Sequence, residues 1–136
     1  MTGKTKRILV PTSGSLAAKE NVDVIVDIAK RLNAEIEVVH IRDPKYFVAT
    51  SQESEGWAAL RIFEEKGREA GVKVISYYTS GELVRSLLDF SCEHQVDLIL
   101  MGSSSGRVIA EWIVSDLMSE CDIPVLIIPQ DFSELF

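Results

Sequence analysis

Along this chain the apolar positions switch between two periods, and each switch marks an element. Arg7-Ile8-Leu9-Val10-Pro11 is a short β-branched and apolar run, stopped by the turn and cap residues Pro11-Thr12-Ser13-Gly14-Ser15. From Leu16 to Leu32 the apolar residues Val22, Ile25, Val26, Ile28, Ala29 and Leu32 recur at three and four. Lys19, Glu20, Asp23, Asp27, Lys30 and Arg31 fill the other face, which predicts an amphipathic helix ended by Asn33-Ala34. Glu35 to Ile41 reads as a second strand, and its weak alternation suits cover on both faces. Arg42 to Ser51, with its Asp43-Pro44 turn, is an irregular loop. Ser51 to Ala70 is helical, with Trp57, Leu60 and Phe63 on one stripe and Gly71 as the residue that stops it. Val72 to Tyr78 reads as a third strand. Thr79-Ser80-Gly81-Glu82 then supplies the N-terminal signature of a third helix, which runs to Gln95.

The last unit carries the strongest pattern. Val96 to Met101 and Ile123 to Pro129 are continuous apolar runs of the kind buried strands show, and they flank a helical pattern that ends at Cys121. Between the first run and that helix lies Gly102-Ser103-Ser104-Ser105-Gly106. The whole string is then strand and helix in alternation, five strands and four helices. It predicts an α/β fold, an open five-stranded parallel sheet with helices on both faces, built as one domain over residues 1–136. Ligands of such sheets bind beyond the carboxyl ends of the strands, where the strand order reverses. The loops after strands one and four, Pro11 to Ser15 and Gly102 to Gly106, are therefore expected to face each other across one cleft.

Composition narrows the chemistry. The chain has 136 residues, 46% hydrophobic and 26% charged, enough for one core, and its net charge of -7 argues against a nucleic-acid partner. No apolar run approaches the roughly 20 residues of a membrane span, so no membrane partner and a cytoplasmic location are expected. Cys92 and Cys121 have no C-x-x-C spacing and read as ordinary buried or half-buried thiols.

The Gly102 to Gly106 loop places flexible backbone and three hydroxyls where a helix begins, the arrangement that cradles phosphate oxygens; a plain strand-to-helix turn reads the same way. Thr12 and Ser13 suit hydrogen bonds to ribose or phosphate, and Ser13 or Ser15 equally suits a helix cap. His40 falls near the same rim, and His94 near a helix C-terminus, where a cation-capable side chain suits the dipole. No nucleophile elbow and no metal-ligand spacing is present, so no catalytic residue and no metal ligand is assigned.

Ile8-Leu9-Val10-Pro11-Thr12, Val39-His40-Ile41, Asp97-Leu98-Ile99 with Met101-Gly102-Ser103, and Ile123-Pro124-Val125-Leu126-Ile127-Ile128 together resemble the universal stress protein family over nearly the whole chain. The resemblance implies a five-stranded α/β sandwich and a homodimer formed through the last strand, Val125 to Ile128. In one branch of the family it also implies ATP or a related adenine nucleotide in the cleft. Pro11, Thr12, Ile41, Met101 and Gly102 match positions that in that branch touch adenine, ribose or phosphate, and with Ser13, Ser103, Ser104 and Gly106 they form the candidate cleft for ATP, ADP or AMP.

Two departures stand out. Ser13 replaces the branch's Asp after strand one, and three residues separate Gly102 from Gly106 where two separate the branch's glycines. Counting back from Pro124 puts Glu111-Trp112 where its Gly-Ser or Gly-Thr pair belongs. A glutamate there repels a triphosphate and a tryptophan fills space a small residue leaves open. The expectation is a dimeric regulatory or stress-response module with weak or absent ATP binding and at most slow nucleotide hydrolysis. The alternative is an adenine-nucleotide binder that uses the loops after strands one and four.

Overall fold

The runs rich in Val, Ile and Leu line up as five parallel strands in one sheet, in the order β3-β2-β1-β4-β5. The computed structural model describes residues 5–12, 16–42, 51–102 and 123–128. Its elements are β1 (Lys6–Pro11), α1 (Leu16–Arg31), β2 (Ala34–Arg42), α2 (Ser51–Ala70), β3 (Val74–Ser80), α3 (Leu83–Glu93), β4 (Leu98–Gly102) and β5 (Val125–Ile128). The expected five strands and the α/β class are present; the expected fourth helix lies outside the described residues.

Strand period two divides the apolar residues between two layers. Ile8, Val10, Ile36, Val38, Leu100 and Ile128 share one face with Val22, Ile25, Val26 and Ala29 of α1 and Leu60 and Phe63 of α2. Leu9, Val39, Ile41 and Ile99 share the other with Leu87 and Leu88 of α3 and with Val96. Phe63, Leu9, Ile36, Leu87 and Ile99 are at most 1% exposed, so both layers are closed. Burying side chains of this size contributes about 1.5–3 kcal/mol each.

Each of the three described helices ends where a residue takes the left-handed conformation: Asn33 (φ 55°) after α1, Gly71 (φ 76°) after α2 and Gln95 (φ 51°) after α3. At Gly71 the Val72 N–H reaches back to the Gly67 carbonyl at 2.8 Å and the Gly71 N–H to Arg68 at 3.3 Å, which satisfies two carbonyls the helix leaves unpaired.

Three expectations are corrected. Thr79 and Ser80 finish β3, and the cap position of α3 is Glu82, whose side chain makes no capping bond. Pairing with Ile41 and Arg42 of β2 draws these two residues into the sheet, so strand hydrogen bonds win over turn propensity. Cys92 is exposed, because α3 buries Ser91, Leu88 and Leu87 and turns the neighbouring position outward; Cys121 lies outside the described residues. Trp57 is 50% exposed while Leu60 and Phe63 are buried. Its ring lies on Tyr78 of β3, centroids 4.6 Å apart and 12° from parallel.

Candidate functional site

The strand order reverses between β1 and β4, so the chain leaves those neighbouring strands in opposite directions and opens a crevice at their carboxyl ends. Ile8 pairs with Leu98 and Leu9 with Ile99. The same register carried forward brings Pro11 and Thr12 level with Met101 and Gly102. On the other side of β1, Pro11 pairs with Val39, which places Ile41 just past the end of β1. Five of the expected residues, Pro11, Thr12, Ile41, Met101 and Gly102, thus converge on one edge through three adjacent strands. Ser13, Ser103, Ser104 and Gly106 lie outside the described residues.

Thr12 is 8% exposed and held at both ends of its main chain. Its N–H donates to the Val39 carbonyl at 2.9 Å, and its own carbonyl accepts from His40 Nδ1 at 2.9 Å. The first of these bonds also fixes the direction of the β2 main chain. Val39 presents its carbonyl to β1, and a strand alternates sides residue by residue, so the Ile41 N–H and C=O turn the same way. Arg42 agrees, since its carbonyl accepts from Gly81 on the β3 side at 3.0 Å. β1 ends level with Val39, and the Ile41 peptide groups therefore turn to the β1 side beyond its last paired residue, one donor and one acceptor beside an apolar side chain. That pattern matches the edge of a purine ring.

A second cluster, which the sequence pattern does not reveal, sits at the opposite end of the sheet on the α3 face. Glu37 is 3% exposed, and its Oε1 lies 3.1 Å from His94 Nδ1. Arg7 Nε donates to Glu35 at 2.9 Å, and Arg7 Nη1 donates to the His94 carbonyl at 2.8 Å. His94 stacks on Phe90 at 3.9 Å, and the Tyr77 ring stands edge-on to both. Burial holds the Tyr77 hydroxyl above its usual range, and the Glu37 charge beside it adds to the effect. A polar alternation, Glu35 then Glu37, is visible in the sequence; the partners of Glu37 are remote along the chain and leave no local signal. The groove of about 270 Å³ between α1 and α2, lined by Asp23, Asp27, Lys30, Lys66 and Glu69, is far from the β1–β4 crevice and mixes both signs of charge.

Among the described residues no group of three His, Cys, Asp or Glu side chains is arranged to hold a metal ion, and no helix is long and apolar enough to cross a membrane.

The model of the universal stress protein family matches residues 4–129. A universal stress protein of Methanocaldococcus jannaschii is 25% identical, over 95% of this chain and 85% of its own. Universal stress protein YxiE of Bacillus subtilis is 27% identical, over 90% of this chain and 97% of its own. Among solved structures, a universal stress protein in complex with cAMP superimposes with a TM-score of 0.70 at 20% identity, covering 94% of this chain and 99% of that one. The universal stress protein of Archaeoglobus fulgidus in complex with dAMP superimposes at 0.66 and 16% identity, covering 91% and 97%. At these identities the structural likeness concerns the fold.

Proposed function

Because the chain belongs to the universal stress protein family, we propose that it binds an adenine nucleotide at the carboxyl edge of β1, β2 and β4 and works as a binding module. The observation that carries this reading is the Ile41 peptide edge, turned to the β1 side beyond that strand's last paired residue, next to buried Thr12. A donor and an acceptor on rigid backbone suit the adenine ring, and Thr12 stands where the sugar would follow. The ligands of two structural neighbours, cAMP and dAMP, are adenine monophosphates and support the same class. Ser13, in place of a carboxylate, and Glu111-Trp112, in place of the Gly-Ser or Gly-Thr pair, favour a monophosphate over magnesium-bound triphosphate. ATP is accordingly the weakest of the candidate ligands.

Calorimetric titration with AMP, cAMP, ADP and ATP, with and without magnesium, tests the reading on protein shown by mass spectrometry to be empty. Micromolar affinity for the monophosphates supports it, and absence of heat at millimolar nucleotide overturns it.

A second reading rests on β5. It is an edge strand of the sheet, and its Leu126 is 47% exposed. An apolar edge of this kind invites pairing with a second copy. In that reading the chain is a homodimeric stress-response module joined through Val125–Ile128, with or without nucleotide.

A further inference from the structure

His40 lies one residue before Ile41 on β2 and is 4% exposed. Its Nδ1 is 2.9 Å from the Thr12 carbonyl oxygen, and a carbonyl can only accept. Nδ1 therefore carries a proton. Nε2 is buried without a hydrogen-bond partner. It faces α2 at Gly56, where a Cβ would come within 2.6 Å of the ring's Cδ2 and 2.7 Å of Nε2. Tyr78 flanks the ring with centroids 5.1 Å apart.

Leaving a buried nitrogen unpaired costs free energy. A leucine would fill the same space without that cost. What imidazole adds is the bond to Thr12, and the glycine on α2 leaves the room the ring occupies. We propose that His40 is a positioning residue of the cleft. Braced by Gly56 and Tyr78, its Nδ1–H holds the Thr12 carbonyl and so sets where the chain leaves the sheet beside the Ile41 peptide edge. This rests on the adenine-nucleotide reading above.

The test titrates AMP into the full chain and into His40→Asn, His40→Gln and His40→Leu. Asparagine places an amide N–H where Nδ1–H was, glutamine reaches the Nε2 position, and leucine keeps only bulk. The expected result is AMP affinity within about twofold of wild type for His40→Asn and about fivefold or more weaker for the other two, the scale of one lost hydrogen bond. Equal affinity in all three variants, or equal loss in all three, overturns the inference and leaves the nucleotide reading standing. A wild type that binds no AMP ends both.

The wild type alone supplies a second readout, which does not depend on the variants folding. Long-range proton–nitrogen spectra should show neutral His40 protonated at Nδ1, and AMP should shift the Thr12 carbonyl resonance. Protonation at Nε2, or a Thr12 carbonyl that ignores bound AMP, overturns it.

Discussion

Gly71 isolates a single physical effect. Its φ of 76° is one that side-chain-bearing residues adopt at a cost, and nothing lies within 4 Å of where a Cβ would be. Gly71→Ala therefore meets no clash and should lower stability by about 1 kcal/mol through backbone conformation alone. A urea-melt midpoint that does not move would refute this account of the turn. Tyr77 makes a prediction about pH. Its hydroxyl is held above the usual range by burial first and the Glu37 charge second. The folded state thus keeps the proton longer than the unfolded chain does. The stability this contributes is fully present below pH 10, the unfolded tyrosine's value, and is lost as pH rises through the higher folded-state value. Wild type should lose urea resistance between pH 8 and pH 11 more steeply than Tyr77→Phe does. Parallel losses in the two proteins would show that Tyr77 is not the group responsible.

At the scale of elements, α2 and β5 carry the instructive features. α2 holds glycines at 56 and 67, each costing about 1 kcal/mol of helix propensity, yet both sit where the helix touches the sheet. At Gly56 the room goes to the His40 ring. At Gly67 an added Cβ would lie 2.9 Å from the Val72 carbonyl, so a side chain there would push α2 away from the start of β3. The intrinsic cost is offset by close packing of Leu60 and Phe63 on the sheet. β5 poses the opposite problem, an edge strand with half-exposed Leu126. Light scattering at micromolar concentration should give a dimer mass for wild type and a monomer mass for Leu126→Glu, since a charge on a paired edge is expensive to bury. A monomeric wild type, or a Leu126→Glu dimer, rules out assembly through this strand.

For the molecule as a whole, the reversal of strand order places the cleft. β1 sits at the centre of the sheet with β2 on one side and β4 on the other. Thr12, the end of β2 and the end of β4 meet there because those three strands are neighbours, although they are far apart along the chain. The net charge of -7 gives no general attraction for phosphate, so the proposed binding draws on local backbone groups at the ends of these strands. Gly102→Glu puts a bulky anion at the end of β4 and should weaken AMP binding about tenfold or more. Unchanged affinity would remove the end of β4 from the binding site.

Periodicity and turn chemistry made the five strands, the helices α1 and α2, the stop at Gly71 and the parallel α/β class legible in the chain itself, because each depends on residues a few positions apart. That Pro11, Thr12, Ile41, Met101 and Gly102 fall at the carboxyl ends of strands was legible too, since strand ends follow from strand boundaries. The rest depended on contacts between remote residues. The direction of the Ile41 peptide follows from the Thr12 N–H bonding the Val39 carbonyl across the sheet. The seat of His40 depends on Gly56 and Thr12, and the burial of Glu37 on His94. Trp57 left the core stripe because Tyr78 offered its ring a partner at the surface. Hydrogen-bond direction, burial of polar groups and ring stacking are set by what lies across the sheet, and a linear pattern of apolar and polar positions holds no record of that neighbour.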